Sequence, residues 1–574
     1  MPTARLGLES RNEARAALTA PDGVDILVIG GGVTGAGIAL DAATRGLSVG
    51  IVDAQDWGAG TSSRSSRLVH GGLRYLYNLD FKLVAESLRE RGTLLTKTAP
   101  HLVTAQPFLW PLRQRVIERA YSAVGVGMYD LIAIAGARHR TVPLQHHYSR
   151  KRTLEVFPDA RAEALVGSIR FCDAKVDDAR LVNTLVRTAV RYGAHALSHA
   201  EVVELVREGT RVTGAVVHDR ETGERLSIRA GHVIGAVGVW TEHLQRLAGS
   251  EGPLRVHASK GIHLVIPRDR IKGSTGMFLR TEKSVLFIIP WTEHWIIGTT
   301  DTSWHEDLTH PVATTADIDY LLEHANAVLT SELTRSDIIG VYAGLRPLLQ
   351  PVLTDEASTA KISREHTVAR VTDGLSVIAG GKLTTYRVMA EDAVDFAIGA
   401  RAKVLPSVTA NTPLLGATGL DAMRRIAPRL GAKRGWDLAR VEHLLARYGS
   451  AITEVAELID DDPSLGRPLA AAPQYLRAEV AYAVTHEGAL TVADVLMRRV
   501  RLAIESEDRG LGALDEIIEI ITPLLGWGEE RAEREASEWH ATCTAQETAL
   551  RTATDAEASA ARAEAGDGEI GARV

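Results

Sequence analysis

Cysteine is scarce: Cys172 and Cys543 are the only two in 574 residues. That excludes a disulfide framework beyond a single bridge and makes a reducing, cytoplasmic setting the simplest reading. An uncharged apolar run of the roughly 18 residues that a spanning helix needs is also missing, so the chain is not expected to cross a membrane. Met1 to Gly23 carries Arg5, Glu9, Arg11, Glu13 and Arg15 and no apolar core, which excludes a secretory signal. Excess positive charge is absent too. The formal net charge is −7, which argues against nucleic-acid binding through overall charge and leaves only local basic patches open. No internal repeat is visible.

What is present is an ordinary globular balance, with 45% hydrophobic and 24% charged residues. The length exceeds one compact core, so two or three domains are expected. Residues 1–22 read as a polar leader, partly helical. Ile26-Leu27-Val28-Ile29 reads as a short buried strand, and a βαβ rhythm follows to about Ser48–Asp53. From about Ala200 to Gly238, short β-branched runs alternate with turn residues, as in a meander with a return strand. Further strand-like runs lie at Ile262–Ile266, Val285–Ile289, Trp295–Ile297 and Leu375–Ile378. After about Pro406 the pattern turns helical. Leu438, Val441, Leu444, Leu445 and Tyr448 share one face ahead of Gly449, and Thr491 with Asp494 forms a capping-box pattern. These features predict an all-helical domain over 410–540. Residues 541–574, rich in Ala, Glu, Thr and Arg, have too little apolar surface to offset ordering and are expected to be a mobile tail.

Gly30-Gly31-Gly32-Val33-Thr34-Gly35 supplies G-x-G-x-x-G directly after the first strand. Gly30 allows the tight turn, Gly32 lets a pyrophosphate approach the backbone, and Gly35 lets the helix pack on the sheet. The helix N-terminus, at Val33 and Thr34, offers free N–H groups to phosphate. Asp53 ends the next strand about 20 residues on, where an acid accepts hydrogen bonds from ribose hydroxyls. An acid there suits FAD or NAD better than NADP.

The segment Gly60-Thr61-Ser62-Ser63-Arg64-Ser65-Ser66-Arg67-Leu68-Val69-His70-Gly71-Gly72-Leu73-Arg74-Tyr75-Leu76 closely resembles the flavin-contacting segment of the FAD-dependent, membrane-associated sn-glycerol-3-phosphate dehydrogenases. Five more segments are similar to that family: Val176–Leu181, Lys260–Val265, Ile297–Asp301, Ala343–Leu348 and Gly380–Arg387. Together they span about 24–392, and the helical 410–540 part resembles the family's C-terminal domain more loosely. One departure stands out. The strand end before the flavin usually reads Asn-Ala-Thr-Gly and here reads Gly235-Ala236-Val237-Gly238, which retains Gly238 and loses a hydroxyl.

The resemblance implies an α/β fold: residues 23–405 forming an FAD-binding Rossmann-like domain with an interleaved antiparallel-sheet substrate domain, followed by the all-α domain. It implies FAD as cofactor, held by the glycine fingerprint, Asp53, Thr61, Ser62, Ser63, His70, Gly71, Gly72, Gly238, Gly381, Lys382, Leu383 and Thr384. It implies a substrate site built from Arg74, Tyr75, His263, Arg346, Arg364 and Lys382. Arg346 and Arg364 are the first choices for the phosphate because guanidinium forks bind it in a bidentate way. His263 is the candidate general base, the rival reading being that it only orients the C2 oxygen. No metal is implied. Electrons are expected to pass to a membrane quinone. Eight Lys/Arg residues between Arg113 and Arg152, against Glu118 and Asp130, flank the apolar stretch Ala120–Ala137, which suits peripheral contact with anionic lipid. A homodimer is compatible with this reading. An oxygen-reducing oxidase of the same family, an FAD amine or amino-acid oxidase and a non-catalytic FAD-binding module remain as alternatives.

Overall fold

The computed structural model describes residues 4–73, 80–114, 117–137, 140–281, 285–350 and 366–564. Two sheets organise the first two thirds of the chain. The first runs His366–Thr372, Leu375–Gly380, Arg225–Gly235, Val24–Ile29, Val49–Val52, His195–Leu197, with all but the first of these strands parallel. Strands covered on both faces are apolar throughout rather than alternating, as Val49–Val52, buried at every position, illustrates. The helices Val33–Thr44, Asp178–Arg191 and Tyr386–Ile398 cover one face. The meander Ala200–Glu208, Arg211–Asp219, Arg225–Gly235 packs on the other.

The second sheet is mostly antiparallel and is built around Val256–Pro267, which pairs with Gly340–Leu349 on one side and His294–Gly298 on the other. Successive side chains on a strand face opposite ways. Ile262, Leu264 and Ile266 therefore enter the core beneath the helix Thr315–Asn326, while Gly261 and His263 face the large cavity between the sheets.

At the chain's ends the helical character expected of the leader is present, and the expected mobile tail meets a different outcome. The N-terminal leader contains a docked helix, Leu8–Leu18, with Leu18 fully buried and Arg11 donating to Asp219 at 2.6 Å. The segment read as a mobile tail is ordered through residue 564, with helices Glu529–Ala549 and Asp555–Ala563. Its few apolar residues suffice because Ala549 and Ala558 fill a pocket of Val239, Ala258, Trp304 and Leu345. Asp555 also pairs with the buried ammonium of Lys260, which Asp317 holds at 2.5 Å. Within the helical region, Leu438–Tyr448 buries Val441, Leu444 and Tyr448, whereas Leu438, at the first helical position after the Asp437 cap, is exposed. The capping box at Thr491 and Asp494 is present.

The helical region is joined to the rest by buried ion pairs. Asp56, fully buried three residues after Asp53, receives Arg498 at 2.5 Å and Arg499 at 2.7 Å. Arg501 binds Asp178 at 2.7 Å and donates to the Ser63 carbonyl at 3.2 Å. Removing one member of such a set strands an uncompensated charge.

Burial also keeps some histidines neutral. It pushes His101 down to about 3 and His486 down to about 4. Below pH 6.5 the unfolded chain takes up protons that these folded imidazoles refuse, so each removes about 1.4 kcal/mol of stability per pH unit as the pH falls toward its folded value. A His101→Gln variant is therefore expected to lose less melting temperature than the parent between pH 6.5 and 5. An equal loss in scanning calorimetry would refute this.

Candidate active site

Gly30 takes a left-handed φ of +104°, and a Cβ there would lie 2.6 Å from the Ala236 carbonyl. At Gly35 an added Cβ would sit 1.8 Å from the Gly30 carbonyl, so only glycine lets the helix close on the strand. Gly32 has ordinary backbone angles, and its missing Cβ would meet only Ser62 Oγ, at 3.2 Å. Its bare face opens on the cavity. The helix that begins at Val33 has no side-chain cap on its first turn beyond Ser62 Oγ, which accepts from Val33 N–H at 2.9 Å. Asp53 accepts from Gly31 N–H at 2.5 Å and Gln55 N–H at 2.8 Å. Burial lifts its carboxyl to about 6. A glycine cradle, an open helix N-terminus and an acid on the next strand end fit an adenine dinucleotide with an unphosphorylated ribose.

The cavity has a volume of about 860 Å³. Of the residues picked out in the sequence, Gly30, Gly32, Val33, Thr34, Asp53, Thr61, Ser62, His70, Gly238, His263, Arg346, Gly381, Lys382, Leu383 and Thr384 line it. Gly35 stands behind the wall, as its packing role requires. Three others do not line the cavity. Ser63 is buried with its carbonyl on Arg501, Gly71 donates to Tyr129 Oη at 2.7 Å, and Gly72 takes φ +76° in a turn. Arg74, Tyr75 and Arg364 lie outside the described residues.

Thr384 links two walls: its hydroxyl accepts from His70 N–H at 3.1 Å and donates to the His70 carbonyl at 3.2 Å. Gly380 and Gly381 both have left-handed φ, +81° and +82°, which explains two glycines ahead of Lys382. Lys382 Nζ lies 3.3 Å from Ser87 Oγ. Gly238, with φ +56°, opens the turn after the return strand. The altered strand end Ala236-Val237 keeps its place in the cavity wall.

His263 is 2% exposed. Its Nε2 is hydrogen-bonded to Ser66 Oγ at 2.8 Å, and its Nδ1 is buried without a hydrogen-bond partner. The ring stacks on Tyr342 at 4.7 Å and 12°. Burial, with Arg346 and Arg67 nearby, holds the imidazole well below its usual value, so it is neutral at neutral pH. Arg346, on the neighbouring strand opposite Ser259, donates to Thr299 Oγ1 at 3.0 Å and the Thr300 carbonyl at 3.1 Å, with Asp301 at 3.5 Å. A positive group fixed beside a neutral imidazole can hold an anionic substrate and accept a proton from it. Reasoning from sequence did not single out Ser66, Arg67 or Tyr342. The first two lay within the quoted loop, and Tyr342 directly precedes Ala343, so the signal was there in position but not in residue type.

Gly298 pairs with His263 across the sheet, and a Cβ there would fall 2.2 Å from His263 Cδ2. The ring is pinned by Tyr342 and Ser66 and has little room to yield. Gly298→Ala is expected to lower turnover by about 10²-fold through misplacement of the imidazole, with flavin content unchanged. Wild-type turnover in that variant would show that the ring's position is not critical.

A glycine-cradled dinucleotide site between a parallel sheet and a substrate sheet defines an FAD-dependent oxidoreductase. The family profile described as FAD dependent oxidoreductase matches residues 25–387, and that of the C-terminal domain of alpha-glycerophosphate oxidase matches residues 407–532. Glycerol-3-phosphate dehydrogenase 2 of Mycobacterium tuberculosis is 49% identical over 98% of this chain and 95% of its own length. The mitochondrial glycerol-3-phosphate dehydrogenase of Bos taurus is 37% identical over 89% of this chain and 72% of its own. The crystal structure of glycerol-3-phosphate dehydrogenase from Bacillus halodurans, complexed with FAD, superposes with a TM-score of 0.75 at 30% identity, covering 94% of this chain and 98% of that one. The chain belongs to the FAD-dependent glycerol-3-phosphate dehydrogenase family, and FAD is its cofactor.

Proposed function

We infer that this protein oxidises sn-glycerol 3-phosphate to dihydroxyacetone phosphate and delivers the electrons to a quinone at a lipid surface. The observation that carries this reading is that the cavity bearing the FAD cradle also holds Arg346, Lys382 and a neutral, oriented His263. FAD, when bound, supplies the hydride acceptor. Arg346 and Lys382 provide fixed positive charge for a phosphate dianion, Arg346 as a planar fork and Lys382 as a point charge. Arg74 and Arg364 are assigned to the same anion, and Tyr75 to the substrate wall, on the family resemblance. His263 accepts the proton of the C2 hydroxyl at Nε2, the ring nitrogen that Ser66 Oγ orients at 2.8 Å. The Rossmann glycines, Asp53, Thr61, Ser62, His70, Gly238, Gly381, Leu383 and Thr384 hold the dinucleotide and its ring. The names of the relatives support the substrate. Adding sn-glycerol 3-phosphate anaerobically should bleach the flavin, with dihydroxyacetone phosphate released in stoichiometric amount. A flavin left oxidised would end this reading.

Among the described residues no helix is long and apolar enough to cross a membrane. The helix Ile117–Ala137 nevertheless leaves Val124 and Leu131 63% and 68% exposed. With basic residues at both flanks, that face suits the headgroup boundary of anionic lipid, where a quinone would be met. Leu131→Asp is expected to cut cosedimentation with phosphatidylglycerol vesicles several-fold and leave turnover with a soluble quinone analogue intact. Unchanged cosedimentation would place the membrane contact elsewhere. Peroxide production matching substrate consumption would identify oxygen as the acceptor instead.

A further inference from the structure

Arg67 is 1% exposed, and among the described residues none of its three guanidinium nitrogens has a hydrogen-bond partner. Its Cζ lies 4.3 Å over the Trp291 ring and 5.7 Å from the centre of Tyr342, the same Tyr342 that stacks on His263. The nearest carboxylate is Glu505, 3.8 Å from Nη1 and itself 8% exposed. Glu505 closes the short helix Leu502–Glu505 of the helical region. Its Oε1 accepts from Trp291 Nε1 at 3.1 Å and its Oε2 from Tyr475 Oη at 2.8 Å. A continuous buried column thus runs from Tyr475 and Glu505, across Arg67 and Trp291, to Tyr342 and His263. A guanidinium that uses aromatic faces in place of hydrogen bonds leaves its field largely unscreened.

We propose that Arg67 is a positioning residue for the reaction, keeping His263 uncharged and seated against Tyr342, and that Glu505 of the helical region sets how strongly it does so. This rests on His263 serving as the base. Among the other groups facing the imidazole, Arg346 acts in the same direction as Arg67. Ser66 and Tyr342 are neutral, and Arg346 is shared with Asp301, Thr299 and Thr300. Lys260, on the same strand, faces the opposite side and is matched by Asp317 and Asp555. An imidazolium near Arg67 would be disfavoured by like charge, which adds to the larger effects of burial and of Arg346. The column gives the helical region a part in the chemistry although it contributes no described residue to the cavity wall.

The test is a titration of the holoenzyme labelled with [13Cε1]histidine, the His263 resonance being assigned by its loss in His263→Gln. Arg67→Met is expected to move the His263 midpoint toward neutral pH by about one pH unit or more. The acid limb of anaerobic flavin reduction by sn-glycerol 3-phosphate should move with it. Arg67→Lys should keep the parental profile, and Glu505→Gln should displace the midpoint to lower pH. If Arg67→Met fails to fold, Arg67→Gln, which can still hydrogen-bond Glu505, carries the same expectation. A neutral variant at position 67 that folds and titrates at the parental midpoint overturns the proposal. Full turnover in His263→Gln would instead remove the base role and leave the titration result standing.

Discussion

His263→Ala is expected to bind FAD with an unaltered absorbance spectrum and to reduce it with sn-glycerol 3-phosphate roughly 10²–10⁴ times more slowly, the usual contribution of a positioned acid or base. The two halves of this result have separate structural origins. The cradle of Gly30, Gly32 and Asp53 belongs to the parallel sheet, whereas His263 belongs to the neighbouring one. Deleting the imidazole leaves the cradle's hydrogen bonds in place, including those from Gly31 and Gln55 to Asp53. The rate falls because the proton of the C2 hydroxyl has no neutral acceptor: the cations assigned to the phosphate, Arg346 and Lys382, cannot take it. Stopped-flow reduction at saturating substrate reads the step directly. A rate within tenfold of the parent would transfer the proton to a water or to Ser66 and reduce His263 to an orienting role.

Gly35→Ala is expected to purify almost colourless. The added Cβ would lie 1.8 Å from the Gly30 carbonyl and 3.4 Å from Val28, so the helix must lift off the strand. Overpacking of this kind costs about 1–3 kcal/mol, and that displacement falls on the turn that should hold the pyrophosphate. Flavin affinity should drop by about 10²-fold, and the apoprotein should melt earlier. Gly32→Ala makes the comparison informative. Its Cβ would meet only Ser62 Oγ, at 3.2 Å, so its apoprotein should melt like the parent while the methyl still occupies the space of the ligand. Equal melting of both apoproteins would show that the strand tolerates the Gly35 displacement, and the packing argument would then be wrong.

The contrast between those two glycines shows what could be read from sequence. Spacing within about two dozen residues carries the fingerprint because every partner involved, Gly30, Val33 and Asp53, is close in the chain. The parallel strands, the meander and the second sheet were legible for the same reason: strands announce themselves by local apolar periodicity. The docking of the N-terminal helix and the order of the C-terminal one were not. Leu8–Leu18 and Asp555–Ala563 have little apolar surface of their own, and their places depend on partners far along the chain, Asp219 for Arg11 and Lys260 for Asp555. Lys260 illustrates the limit well. Its motif was recognised, yet its ammonium belongs to an ion cluster on the face turned away from the cavity. Ser66 and Tyr342 passed unnoticed because hydroxyl and aromatic residues acquire a role only once His263 is placed against them.

The Asp56 cluster has a consequence for how the molecule is made. The loop that follows Asp53 is synthesised early, and its carboxylate waits for Arg498 and Arg499, which lie 442 and 443 residues downstream. Until those arginines emerge from the ribosome, Asp56 lacks the partners that offset its burial. The last-made third of the protein supplies the partners of a carboxylate in the first-made one.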